Sequence, residues 1–158
     1  MGGYNKFFPI IMWLEAHPVQ MGYDMTTAQE FYEKSFADIA SLHCNTVRPS
    51  NLPLDYADLF LRSAGKYNLK VIMDPQFGHK IIKKTVTQIQ NEWESLKSVI
   101  KSSVIDLFSG HENFLGYVVA DEPRMDQLEQ WKLIVKMFHE LDPLHPDFTV
   151  FNEPENLK

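Results

Sequence analysis

A run of uncharged residues from Phe114 to Ala120 leads directly into Asp121, Glu122 and Pro123. A near-continuous apolar run of this length is typical of a strand covered on both faces, as in a parallel sheet flanked by helices. Pro123 predicts the end of the strand, because proline fixes φ and has no N–H to donate to a sheet. We therefore expect two carboxylates at the carboxyl end of a buried strand, which is where α/β folds bind ligands and carry out chemistry.

Short apolar runs of this kind recur along the chain, and residues at helical spacing fill the intervals between them. The runs are 7–14, 45–48, 70–74, 114–120 and 148–152. Capping residues or periodicity predict helices after Thr26-Thr27, from Asp55, from about Thr85 to Phe108 with a break near Ser102-Ser103, and from Asp126 to Leu141. The order β-α-β-α-β-α-β-α-β predicts an α/β fold, a parallel sheet with right-handed crossovers.

Two α/β architectures fit this order: a doubly wound sheet, and the first strands of a (β/α)8 barrel. A complete barrel needs roughly 200 residues or more, and this chain has 158. A doubly wound nucleotide-binding sheet would bring a glycine-rich loop after its first strand, but residues 15–22 contain a single glycine. No linker rich in Gly, Ser or Pro divides the chain, so residues 1–158 are expected to form one domain.

The composition narrows the range of partners. The net charge is −6, with no basic block and no basic amphipathic helix, which argues against nucleic acid and against an anionic membrane surface. The six histidines and the single cysteine, Cys44, show no metal-ligand spacing, so we expect neither a metal nor another cofactor. No signal peptide is visible at the start, which leaves the compartment open.

Taken in order, the predicted strands resemble the amino-terminal half of the (β/α)8-barrel glycoside hydrolases of the large retaining clan, which includes β-galactosidases and cellulases. The resemblance rests on Phe8-Pro9-Ile10, on 45–48, on 68–74, on Gly116-Tyr117 leading to Asp121-Glu122-Pro123, and on 141–146. It implies a barrel that stops after its fifth strand, a carbohydrate substrate, and hydrolysis of O-glycosidic bonds with retention of configuration.

The resemblance also implies roles for residues at two strand ends. Glu122 matches the general acid/base glutamate after strand four, and we expect it to be partly buried. Asp121 stands where the clan usually has an asparagine that binds the sugar 2-hydroxyl; a helix cap or a salt bridge is the alternative. Because neighbours on a strand point to opposite faces, Asp121 should turn aside if Glu122 faces the cleft. Arg48 matches an arginine that steadies the nucleophile, or else forms an ion pair at the sheet rim.

The clan's nucleophile follows strand seven, so these residues make up at most half of a glycosidase site. Retaining hydrolysis needs a second carboxylate about 5–5.5 Å from the first. None of the five predicted strands corresponds to the strand that carries it.

The residues after the third predicted strand are further candidates for sugar binding. Asp74, Gln76 and His79 carry polar groups that suit sugar hydroxyls. A surface loop held by Pro75 and Gly78 explains them equally well.

The first and fifth strand ends supply the remaining candidates. Trp13 is expected to be a sugar platform or a core residue, and Asn152 is expected to bind substrate. Glu153 follows Asn152 and precedes a proline, as in an acid/base motif, but its place in the strand order favours Glu122 for that role.

A non-enzymatic alternative remains open. An incomplete barrel exposes two sheet edges and an apolar inner face, which invites pairing with a second copy. The chain would then be a carbohydrate-binding or self-associating half-barrel that forms a homo-oligomer. A third possibility is a rearranged doubly wound domain that binds a small ligand at its switch point.

Overall fold

The computed structural model describes residues 9–14, 18, 21–50 and 52–150, and they form a five-stranded parallel sheet. The strands are β1 (Ile11–Leu14), β2 (Thr46–Pro49), β3 (Lys70–Met73), β4 (Phe114–Asp121) and β5 (Asp147–Val150). Their order in the sheet is β1-β2-β3-β4-β5, and each neighbouring pair is parallel. A doubly wound sheet reverses its order at a switch point. The described strands show no reversal, so the barrel-like prediction is confirmed, and the doubly wound alternatives are wrong.

Helices connect the strands. They are α1 (Met25–Ser41), α2 (Ala57–Lys66), α3 (Phe77–Ile81), α4 (Val86–Asn91), α5 (Trp93–Ile100), α6 (Asp106–Phe108) and α7 (Leu128–Leu141). The long helix predicted from Thr85 to Phe108 is found as α4, α5 and α6. A π-helical segment over 101–105 contains the break predicted near Ser102-Ser103. No helix in the described part of the chain has the length and apolarity needed to cross a bilayer.

The starts of three helices differ from prediction. The cap of α1 is Asp24, whose Oδ1 accepts from the Thr27 N–H at 2.8 Å, and Thr26-Thr27 lies inside the helix. Asp55 and Asp126 lie inside short 3₁₀ turns, 54–56 and 125–127, that lead into α2 and α7, and neither helix has a side-chain cap. A carboxylate caps a helix only from an extended residue ahead of the first turn, and Asp24 alone of these three has that position.

One face of the sheet packs on the helices and forms the main core. The strand residues that belong to this core include Val47, Val71 and Val119. On the helix side, Tyr32, Phe36 and Phe60 are fully buried and their rings lie 4.9–5.8 Å apart. The side chains between these strand residues point to the other face of the sheet. The chain therefore has a helix-covered outer face and a second face, where Ile72 and Val118 are buried but lie outside this core, as in a barrel.

A buried polar network fixes the connection from α7 to β5. The Tyr117 hydroxyl donates to Asp142 Oδ2 at 2.7 Å, and His145 Nδ1 lies 2.8 Å from the same oxygen. Asp147 begins β5 beside Tyr117, and burial raises the pKa of this carboxyl to about 6. This network lies at the amino end of β5, at the opposite end of the sheet from the strand termini that bind ligands in α/β folds.

The segment after β3 contains a short helix, α3, whereas the alternative to sugar binding for Asp74, Gln76 and His79 was a surface loop. α3 lies directly on β4, because a Cβ atom at Gly78 would overlap the carbonyl oxygen of Val119. Glycine is required at this position by close approach of two backbones. Five residues are too few to show helical periodicity, which is why the sequence did not predict α3.

We predict that Gly78→Ala lowers the free energy of unfolding by about 3 kcal/mol, since the added methyl group must displace either α3 or β4. Gly110→Ala is the control, because a Cβ atom at Gly110 meets nothing within 4 Å. The control should change stability by less than about 0.5 kcal/mol. Urea denaturation of the two variants measures the difference, and equal stabilities would contradict the packing of α3 on β4.

Candidate functional site

Arg48 connects the ends of three strands. It lies in β2 and is only 5% exposed. Its Nη2 atom donates to Asp74 Oδ2 at 3.1 Å, just after β3, and to Asp121 Oδ2 at 2.9 Å, at the end of β4. The carboxyl ends of parallel strands meet at one edge of a sheet, so residues far apart in sequence come together there.

Trp13 and His79 complete this group. The Arg48 guanidinium lies 4.2 Å from the centre of the Trp13 ring, a cation–π arrangement. His79, in α3, places Nε2 3.5 Å from Asp74 Oδ2. Trp13 is 44% exposed, so it is not a core residue. We refer to Trp13, Arg48, Asp74, His79 and Asp121 as the mouth cluster.

The charges of the mouth cluster shift two protonation equilibria. Burial by itself would raise the pKa of Asp74, but hydrogen bonds from His79, the Gln76 N–H and Arg48 outweigh it and hold that pKa below its usual value. The hydrogen bond to Asp74 raises the pKa of His79, against an opposing effect of burial. Both shifts favour the ion pair of Asp74 with a protonated His79.

These shifts give the cluster a pH window. Folding lowers the pKa of Asp74, so its contribution to stability is present above the ordinary value of 3.8 and is lost as the pH falls through the folded value. Folding raises the pKa of His79, so its contribution is complete below 6.5 and is lost as the pH rises through the raised value. The cluster therefore stabilises the fold most in mildly acidic solution.

Three possible metal ligands also meet here. One ligand atom each from Asp74, His79 and Asp121 lies within 4.8 Å of the others. Local spacing could not reveal this group, because Asp121 ends β4, far along the chain from the segment that holds Asp74 and His79. Arg48 Nη2 already contacts both carboxylates, so a divalent ion would have to share them with a guanidinium. Within the described residues, the cation that pairs with these two carboxylates is the Arg48 guanidinium.

Two residues at the same edge have left-handed backbones. Gln76 has φ 61° and Glu122 has φ 50°. The other described non-glycine residues with positive φ, His43 and Asn68, follow the ends of α1 and α2, where left-handed termination is common. Gln76 directly precedes α3 and Glu122 follows β4, so neither residue follows the carboxyl end of a helix. Such a conformation costs about 1 kcal/mol or more and is concentrated at functional sites.

Hydrogen bonds hold both strained residues in place. The Gln76 N–H donates to Asp74 Oδ1 at 3.0 Å, and the Glu122 N–H donates to the Val150 carbonyl oxygen in β5 at 2.8 Å. The Glu122 side chain is exposed, so the partial burial expected for it is not found. Asp121 contacts Arg48 and is therefore not turned aside, and among the described residues the Glu122 side chain makes no contact with the mouth cluster.

The sequence candidates thus divide into three groups. The structure brings together five of these candidates, Trp13, Arg48, Asp74, His79 and Asp121, while Gln76 joins through its backbone. Glu122 adjoins the cluster through Asp121. Asn152 and Glu153 lie outside the described residues. Arg48 and Asp121 form a salt bridge with each other, which was one of the alternatives for these two residues.

Two atoms of the cluster lack a hydrogen-bond partner among the described residues: Arg48 Nε and Asp121 Oδ1, both buried. A buried polar atom without a partner carries the full cost of desolvation. The polar network of the mouth cluster is therefore incomplete within the described part of the chain.

Comparisons with known proteins identify structures with a similar fold. No protein-family profile and no curated protein sequence matches the chain. Among solved structures it is similar to a beta-glucuronidase from an uncultured Clostridium species, with a TM-score of 0.66 and 16% identity. It is also similar to GH5_18 from Streptomyces cattleya in complex with GlcNAc, with a TM-score of 0.59 and 14% identity. The chain has the fold of part of a glycoside-hydrolase (β/α)8 barrel, which confirms the predicted resemblance at the level of fold.

The chain spans only part of these neighbours. The first match covers 94% of this chain and 26% of the beta-glucuronidase. The second covers 90% of this chain and 44% of GH5_18. The described strands therefore correspond to less than half of either protein.

We predict that Arg48→Met lowers the free energy of unfolding by about 3–5 kcal/mol at neutral pH, because it leaves two carboxylates without their shared cation. The loss should shrink as the pH falls through the lowered pKa of Asp74, because the protonated carboxyl group no longer pairs with Arg48 in the parent chain. Arg124→Met is the matched control: Arg124 pairs with Asp126 at the surface, and losing this pair costs about 1 kcal/mol or less. Denaturant unfolding across pH tests this, and a loss independent of pH would contradict the ionic origin.

Proposed function

We propose that this chain carries the general acid/base of a retaining glycoside hydrolase, with Glu122 in that role. One observation supports the proposal above the others. An exposed carboxylate in a strained, left-handed conformation lies immediately beyond β4, next to a buried Arg–Asp cluster at the carboxyl ends of the strands. Strain of this kind persists only where the surrounding structure enforces it, and it is typical of catalytic residues.

The substrate that we propose is a carbohydrate. The structural neighbours are named as a beta-glucuronidase and as a GH5_18 protein bound to GlcNAc, so both names refer to carbohydrate ligands. Because fold alone does not fix function, the proposal depends on the site. Trp13 offers a half-exposed ring for the C–H face of a sugar, and the half-buried Gln76 and Asp121 offer polar groups for its hydroxyls. Asp74 is buried and both of its oxygens already accept hydrogen bonds, so we include it on its sequence position. We place Asn152 among the substrate-binding residues on its sequence position alone.

In this proposal Glu122 donates a proton to the oxygen of the leaving group and then, as the conjugate base, takes a proton from water. A second carboxylate, about 5–5.5 Å from the Glu122 carboxyl group, attacks the anomeric carbon and forms a glycosyl-enzyme intermediate that the activated water then hydrolyses. That nucleophile comes from outside these 158 residues. Asp121, when ionised, only accepts hydrogen bonds, so it receives one from a sugar hydroxyl instead of donating one.

We predict that Glu122→Gln reduces hydrolysis of an alkyl glycoside by about 10²–10⁴-fold, because general acid catalysis contributes this much. A dinitrophenyl glycoside should lose far less in its first step, since its leaving group departs without a proton. Steady-state and burst kinetics on a protein that includes the completing strands measure both effects.

Glu112→Gln is the control for this experiment. It makes the same change two residues before β4, at the opposite end of the strand, and should leave both rates unchanged. Full activity of Glu122→Gln on the alkyl glycoside would remove Glu122 from the mechanism.

The second candidate function is a non-catalytic half-barrel that self-associates. Among the described residues, β1 pairs only with β2, and Ile10, Ile11 and Trp13 on or beside it are 49%, 47% and 44% exposed. An unpaired strand edge with exposed apolar side chains is a template for pairing with another chain. Under this candidate the described edge of β1 meets the same edge of a second copy.

We predict that, if this pairing occurs, Ile11→Lys shifts the chain from dimer to monomer, because a lysine on an edge strand opposes pairing. Leu144→Lys is the control, since Leu144 is 87% exposed in the loop before β5 and should not alter the mass. Light scattering over a range of protein concentrations measures the mass. A monomeric parent chain would exclude the second candidate.

A further inference from the structure

We infer that the mouth cluster selects uncharged sugars, neutral hexoses or their N-acyl derivatives, and rejects uronates. This inference rests on the proposed function, since it names the substrate class of that same site. It follows from the balance of charge around Arg48.

Recognition of a uronate needs a cation whose charge is available to the sugar carboxylate, most often an arginine with a free fork of donors. Arg48 is the only arginine in the mouth cluster. Its Nη2 is shared between Asp74 and Asp121, at 3.1 and 2.9 Å, and the residue is 5% exposed. To pair with Nη2, a sugar carboxylate would have to displace one of these acids. Nε has no partner among the described residues, but it is buried.

The acids of the site outnumber its permanent cation. Asp74, Asp121 and Glu122 contribute three negative charges if all are ionised, against one positive charge on Arg48. His79 adds a second positive charge only when protonated, and it is already directed at Asp74. A uronate therefore enters a field of its own sign, whereas a neutral sugar pays no such cost and meets carboxylate oxygens that accept from its hydroxyls.

Nearby cations do not reverse this balance. Arg124, two residues after Glu122, holds both carboxylate oxygens of Asp126 through Nε and Nη2, at 3.1 and 2.9 Å. Lys80 follows His79 in α3, and its Nζ lies 5.6 Å from the centre of the Phe77 ring. Both are exposed surface side chains, and neither contacts the mouth cluster in the described contacts.

The test compares two probes that differ at one carbon, methyl β-glucoside and methyl β-glucuronide. Binding to the whole chain is followed by NMR titration at slightly alkaline pH and low salt. We expect the glucoside to bind about fivefold tighter or more, because the extra like charge acts at short range. Molar salt, which shortens the Debye length to about 3 Å, should reduce the ratio without any change in the protein.

Asp121→Asn removes one of the acids that share Arg48 and should lower the glucoside-to-glucuronide ratio at least about threefold. Asp147→Asn is the matched control: it makes the same change at the start of β5, away from the mouth cluster, and should leave the ratio unchanged. The salt titration keeps the test decisive if the Asp121 variant fails to fold.

The outcomes separate this inference from the proposed function. Tighter binding of the glucuronide, or a ratio that salt does not alter, overturns the charge argument while leaving sugar binding in place. Failure of this chain to bind either probe overturns the inference, whereas the kinetics of Glu122→Gln in a protein that includes the completing strands still decide the proposed function.

Discussion

The three-way contact of Arg48 with Asp74 and Asp121 is the interaction on which the rest of the site depends. A single buried guanidinium joins the ends of β2, β3 and β4, although its two partners lie 26 and 73 residues away in the chain. Burying three charges is costly, and good hydrogen-bond geometry offsets only part of that cost. The geometry that results fixes the positions of both partners. Asp74 in turn orients His79 and the Gln76 backbone, and Asp121 directly precedes Glu122.

The strained residues are positioned by the same arrangement. Gln76 is held by Asp74, and Glu122 is held between Asp121 and the Val150 carbonyl of β5. Each left-handed residue therefore depends on a neighbour in the sheet rather than on its own conformational preference. Strain supported in this way ties the placement of the proposed acid/base to the docking of β4 against β5.

The sequence predicted the sheet well because the signals for strands are local. The apolar run from Phe114 predicts β4, and the alternation of strands with helical periodicity predicts the parallel order that the structure confirms. The sequence did not reveal α3, whose five residues are held by the contact of Gly78 with β4. Nor did it reveal the left-handed turn at Glu122, because that conformation is imposed by tertiary hydrogen bonds. The meeting of Asp74, His79 and Asp121 depends on which strands are neighbours, and no local spacing records that.

The sequential strand order has a consequence for biosynthesis. Each described strand after β1 pairs with the strand made just before it, so every newly synthesised unit can dock on an edge that is already in place as the chain leaves the ribosome. Contacts between successive units close short loops, which favours rapid folding. Arg48 emerges long before Asp121, so its charge stays only half-compensated until β4 is made. The mouth cluster can therefore assemble only after β4 is made, and a ribosome that pauses before residue 121 holds a sheet in which Arg48 still lacks one of its two partners.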